Sequence, residues 1–151
     1  MGKRTGCARA ASMAWLVLGL ALVLAACSGA PPEQRLRGTL SQLHAAIETK
    51  DAGALEEVLA DDFIGPGSLD RDGARRMAQL MFLRYGAVGA NIGPVSIDMR
   101  SGHATARFNV AVTGGSSQLL PEAARLYDVE TGWREVDGQW QMTSAQWEAR
   151  L

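Results

Sequence analysis

Gly93-Pro94-Val95-Ser96-Ile97-Asp98-Met99-Arg100-Ser101-Gly102-His103-Ala104-Thr105-Ala106-Arg107-Phe108 is the stretch where the apolar period of this chain changes. Before it, apolar residues recur every three or four positions; within it, they alternate. Val95, Ile97 and Met99 predict one strand, and Ser101-Gly102 a tight turn. Ala104, Ala106, Phe108, Val110 and Val112 predict a second strand running back along the first. Downstream, Tyr127, Val129, Thr131 and Trp133 mark a third strand. Asp137-Gly138 is a hairpin signal, and Trp140 and Met142 open a fourth. Apolar parity breaks between Trp133 and Val136 and again between Met142 and Trp147, which predicts bulges that bend the strands.

Upstream, Leu36, Leu40, Leu43 and Ile47 predict a helix over about residues 33 to 49, with Pro32 in its first turn and Glu33 at its positive end. Asp51 can cap a second helix through Leu55, Val58 and Leu59. Asp61-Asp62-Phe63-Ile64 reads as a short extended piece ended by Gly65-Pro66-Gly67. Asp70 or Ser68 can cap a third helix whose face is Ala74, Met77, Ala78, Met81 and Tyr85, widened by Leu80 and Phe82, with Gly86 at its end. Three helices followed by an antiparallel sheet of about four strands is an α+β domain. Bent strands wrapped on helices make it a cone with a mouth.

The first 26 residues have a different character. Lys3, Arg4 and Arg9 precede an apolar core, Met13 to Leu24, that is short for a membrane span of about 20 residues. Ordinary signal cleavage after Ser28-Gly29-Ala30 would place Pro31 next to the cut. Leu24-Ala25-Ala26-Cys27 resembles the lipobox of bacterial lipoproteins. That resemblance implies a signal peptide over 1–26, diacylglycerol on Cys27, a short tether over 27–32 and a folded domain over 33–151. Stable anchoring takes more than one acyl chain, and lipoproteins carry two or three. Ser28, where an aspartate would favour inner-membrane retention, points to the outer membrane, facing the periplasm. The chain has two cysteines, Cys7 and Cys27. The mature domain therefore has no thiol for a disulfide, a metal site or a nucleophile. With the three leader cations removed, residues 28–151 carry 12 basic and 16 acidic groups, a net charge of −4. That balance argues against nucleic acid and anionic headgroups as general partners.

Ala45-Ala46-Ile47-Glu48-Thr49-Lys50-Asp51-Ala52-Gly53-Ala54-Leu55 with Leu59-Ala60-Asp61-Asp62-Phe63, and the ending Trp133 to Met142, resemble nuclear-transport-factor-2-like domains. The resemblance implies a cone with a pocket between helices and sheet. It leaves function open, because the family includes isomerases, cyclases, dehydratases and non-catalytic pocket domains. The isomerase-like members need a tyrosine that would fall on Leu43 here and a carboxylate base that would fall near Gly67, so both groups are missing.

His44 is the remaining candidate base, at the edge of the apolar stripe; the alternative is an ordinary surface histidine. His103 follows a turn, and two distant histidines make a poor metal site. Asp61 and Asp62 are read as capping and solvating groups. Arg107, Asn109, Asp128 and Glu130 share the polar face of the sheet, either as ion pairs or as the floor of a binding surface. Phe63, Met81, Phe82, Tyr85, Tyr127 and Trp133 are the expected pocket walls. The sequence thus predicts an outer-membrane lipoprotein without cofactor or metal. It would bind a small apolar ligand or an envelope protein, with a cyclase- or dehydratase-like enzyme and a sheet-face homodimer as alternatives. A Cys27→Ala variant is expected to leave the membrane pellet and appear in the soluble fraction on cell fractionation; retention in the pellet would exclude lipid attachment as the anchor.

Overall fold

The computed structural model describes residues 29–85, 87–115 and 123–150; the leader, Cys27 and Gly86 lie outside the described residues. In chain order the elements are α1 (Pro32–Glu48), α2 (Ala52–Val58), β1 (Leu59–Ile64), a 3-10 turn (Pro66–Ser68), α3 (Arg71–Arg84), β2 (Ala87–Ile92), β3 (Ser96–Arg100), β4 (His103–Gly115), β5 (Ala123–Val136) and β6 (Gln139–Ala149). Among the described residues no helix is long and apolar enough to cross a membrane.

α1 begins on Pro32, whose missing N–H would have had no helical partner anyway. It ends in a left-handed turn at Lys50, φ 57°. There Asp51 N donates to Ala46 O at 2.8 Å and Lys50 N to Ile47 O at 3.2 Å, the pattern that satisfies orphan helix carbonyls. A lysine in this conformation costs about 1 kcal/mol. The next residue offsets that cost: the Asp51 carboxylate accepts from Gly53 N at 3.0 Å and Ala54 N at 2.9 Å, a cap worth about 1 kcal/mol. α1 therefore stops and α2 starts across the three residues Thr49, Lys50 and Asp51, and the chain turns back toward the sheet. Asp70, rather than Ser68, caps α3 by accepting from Gly73 N at 2.7 Å.

The sheet has six strands in the order β1-β6-β5-β4-β2, with β3 also on β4. Only β1–β6 is parallel. The expected four strands are β3 to β6; the short extended piece at Asp61–Ile64 is part of a fifth, β1, and β2 is a sixth. β2 and β3 divide the same edge of β4, since β2 pairs with Val110–Gly115 and β3 with His103–Arg107. Gly93-Pro94 separates them because proline cannot donate to the ladder. Gly93 N instead reaches Asn109 O at 2.8 Å. The β5–β6 hairpin closes through Asp137 (φ 51°) and Gly138 (φ 79°), the two left-handed residues of the favoured two-residue turn.

One of the two expected bulges is present. Gly132 pairs with Ser144 but Trp133 with Met142, leaving Thr143 extra on β6. The pairing runs unbroken from Trp133 to Val136, so no bulge occurs there. Val136 is simply exposed on the opposite face.

The core sits where the first half of α1 meets the hairpin end of the sheet. Leu36 (fully buried) and Leu40 pack with Trp133, Trp140, Met142, Ala104 and Ala106. The alanines on β4 make room for the indoles. Trp133 Nε1 donates to Thr131 Oγ1 at 2.8 Å, and that hydroxyl donates to Ala106 O at 3.3 Å. Trp140 Nε1 donates to Pro32 O at 3.0 Å, and Arg35 pairs with Glu135, so the start of α1 is held at two points.

On the outer face, Arg134 reaches over β6 to make a two-pronged bridge to Asp62 at 2.7 and 3.0 Å. The hydrogen bond from Arg134 holds the Asp62 carboxyl below its ordinary value. A depressed carboxyl stabilises the fold in full above the unfolded value of about 3.9. The contribution disappears as pH falls through the folded value. An Asp62→Asn variant is therefore expected to have a lower urea midpoint than the parent at neutral pH, and the gap should close on acidification; a gap that persists at pH values below both constants would show that the bridge is not its source.

Candidate functional site: an apolar cavity between helices and sheet

Beneath the second half of α1 a cavity of ≈ 270 Å³ opens between the helices and the sheet. α1 contributes Leu43, His44 and Ile47, α3 contributes Ala74, Met77 and Ala78, and β1 contributes Leu59 and Phe63. The floor is the inner face of the sheet, from Ala90 and Ile92 across Phe108, Val110 and Val129 to Met142, Ala145 and Trp147. Strand alternation explains the uniformity of this floor. Phe108 faces Val129 and Val110 faces Tyr127 in register, so a single period-2 pattern greases two neighbouring strands.

Three side chains with polar atoms line it, His44, Thr131 and Trp147, and the first two are engaged in hydrogen bonds with the fold. The Thr131 hydroxyl accepts from Trp133 and donates to Ala106 O. His44 Nε2 lies 2.7 Å from Ala90 O on edge strand β2. A carbonyl can only accept, so Nε2 carries the proton, and in a neutral ring Nδ1 is the acceptor. Glu48 Oε1 is a weaker neighbour of the same nitrogen at 3.5 Å. Among the described residues, no carboxylate and no phenol lines the cavity.

The six residues expected as walls are scattered. Phe63 lines the cavity. Trp133 does not: it is 1% exposed in the core at the hairpin end. Met81 is exposed on α3, and Phe82 borders a separate groove against the Thr49–Gly53 turn. Tyr85 caps α3, its N–H donating to Met81 O, and Tyr127 lies beyond the cavity on β5. The cause is common to the α3 residues. The periodicity found the helix, but only Ala74 is buried, while Leu80 and Met81 are exposed and Met77, which lines the cavity, is partly so. Leu43 and His44 do reach the cavity, whereas Gly67 sits in an exposed turn. Ala90 and Ile92 were not foreseen, because the alternation of Val88, Ala90 and Ile92 is short and is diluted by glycine and alanine, which have little strand preference.

The other polar clusters are surface pairs. Asp61 pairs with Arg71 at 2.8 Å and Asp62 with Arg134, so the two carboxylates serve different arginines. On the outer sheet face Arg107 pairs with Glu130 at 2.6 Å and Asp128 with Arg150 at 3.2 Å across an open groove. Exposed pairs of this kind contribute about 0–1 kcal/mol. His103 is exposed beside Ser101 O. Among the described residues no group of three His, Cys, Asp or Glu side chains is placed to hold a metal.

No protein-family model and no curated protein matches the chain. Its structure resembles many solved structures. A Bdellovibrio bacteriovorus protein superposes with a TM-score of 0.69 at 9% identity over 78% of this chain, but only 41% of that longer one is spanned. A candidate dehydratase of the NTF2-like family from Streptomyces avermitilis gives 0.69 at 15% identity, covering 80% of this chain and 97% of that one. A hexachlorocyclohexane dehydrochlorinase from Novosphingobium barchaimii gives 0.67 at 12% identity, covering 79% and 86%. These likenesses establish the NTF2-like α+β fold.

The Thr131 hydroxyl satisfies a buried indole from within the cavity wall. A Thr131→Val variant keeps the shape and strands Trp133 Nε1, so thermal denaturation should show a loss of about 1–3 kcal/mol. An unchanged midpoint would mean that this indole finds another acceptor.

Proposed function

We propose that this chain is a lipid-anchored protein of the bacterial envelope, tethered through Cys27 at the outer membrane, whose cavity binds a small apolar molecule without transforming it. The observation that carries the reading is the cavity under α1: open, walled by aliphatic and aromatic groups, with its histidine and threonine already bonded to the fold.

The energetics favour an occupant. Water is a poor filler, since it needs two to four polar partners and finds almost none here. The volume lies just under the range of about 300–1,000 Å³ typical of ligand pockets, which favours a compact hydrocarbon-rich guest. The lipobox supplies the tether. Five residues from Cys27 to Pro32 span at most about 18 Å, so the domain would work close to the bilayer.

A second reading is an enzyme of the dehydratase or cyclase kind, and one observation favours it. His44 borders the cavity with Nε2 held by Ala90 O, which orients the ring and leaves Nδ1 as the acceptor. The dehydratase and dehydrochlorinase names among the structural neighbours agree with it.

Titration of N-phenyl-1-naphthylamine into the full-length chain tests the first reading and separates it from the second. A saturable fluorescence gain is expected. Ala78→Phe, which fills the cavity from α3, should weaken it at least about tenfold, equivalent to about 1.4 kcal/mol. His44→Ala should leave it within about twofold. A signal that ignores Ala78→Phe would remove the cavity as the site, and a loss of binding in His44→Ala would shift the balance to chemistry at the imidazole.

A further inference from the structure

α3 is built inside out for a helix surrounded by water. Ala74 is its buried residue, while Leu80 is 67% exposed, Leu83 83%, Met81 45% and Met77 37%. At 100° per residue, the direction opposite the sector between Ala74 and Ala78 that faces the cavity falls on Arg76, with Leu83 and Leu80 within about 40° of it. Arg84 lies on the same outward side, and Met77 lies between that side and the cavity wall. The helix touches little else of the fold: α2, through Arg75 pairing with Glu56, and β1, through Arg71 pairing with Asp61. Arg76 and Arg84 make no ion pair among the described residues; Arg84 lies 5.8 Å over the Tyr85 ring.

Charge singles out the same surface. α3 carries four arginines against Asp72 alone, while residues 28–151 as a whole are net negative. An outward face of long aliphatic side chains interleaved with unpaired arginines fits a surface that is apolar beneath a negative layer. Arginine stems can lie along such a surface with the guanidinium in the headgroup layer. A second copy of this domain would present that face with an equal set of arginines, and like charges would oppose the contact.

We infer that α3 is a membrane-contacting helix. It rests on an anionic bilayer, with Leu80 and Leu83 in the acyl boundary and Arg76 and Arg84 on the lipid phosphates. This contact requires neither lipid on Cys27 nor a guest in the cavity.

The test uses the full chain with Cys7→Ser and Cys27→Ser, so that no acyl anchor contributes. An environment-sensitive nitrobenzoxadiazole dye is placed at Leu83→Cys on α3 or, as control, at Glu148→Cys on the outer sheet face. With vesicles of phosphatidylethanolamine and phosphatidylglycerol, the α3 label should shift to the blue and be quenched by brominated acyl chains, and the Glu148 label should not. Arg76→Gln with Arg84→Gln should lower vesicle affinity about thirtyfold, the expected loss for two cations at an anionic surface. Leu80→Ser should reduce the shift while circular dichroism stays native. Three results would overturn the inference: no shift at the α3 label, equal shifts at both labels, or a shift without vesicles that grows with protein concentration, which would assign the face to self-association. A chain held only by its apolar leader would leave the α3 label in water, so leader insertion cannot imitate the expected result.

Discussion

The seating of the first half of α1 on the hairpin end of the sheet governs everything else. Leu36 and Leu40 press into a bed of Trp133, Trp140 and Met142, and Ala104 and Ala106 keep that bed low. Full burial of each leucine is worth about 1.5–3 kcal/mol, so this contact dominates over any surface ion pair in the domain. Polar bonds then hold the helix start at that end, through the Trp140 indole on Pro32 O and through Arg35 and Glu135. Beyond that contact, Leu43, His44 and Ile47 of the same helix line the cavity.

The sheet's bend is the complementary half of the device. The extra residue Thr143 on β6 turns the strand, and Gly93-Pro94 splits the edge partner of β4 into β2 and β3. The bonds between His44 and Ala90 O and between Lys50 Nζ and Tyr85 O (3.0 Å) tie the C-terminal end of α1 and its turn to β2 and to the end of α3.

Much of the architecture was legible because it rests on local rules. Asp51 and Asp70 are caps whatever surrounds them, Asp137-Gly138 makes a two-residue turn in almost any hairpin, and strict alternation through Val112 leaves one reading of β4. The missed elements lack such signatures. β2, with Gly89 and two alanines, has little strand preference of its own and is a strand because β4 offers it an edge. The cavity walls were harder still. Trp133 looked like a wall because tryptophan is large and apolar, yet it lies on the buried side of Leu36. The α3 residues were assigned inward because a helix in water normally buries its aliphatic stripe.

By itself, the sequence determined the order of helices and strands, the points where they start and stop, and the sharing of sheet faces between apolar and charged residues. These follow from backbone geometry and side-chain period, which act over a few residues. Only the tertiary structure decided which apolar residues became core, which became cavity and which were left facing outward. That assignment depends on how far α1 stands from the sheet and how α3 is rotated about its axis. Both are set by contacts between residues as distant in the chain as Pro32 and Trp140, and no local pattern records them.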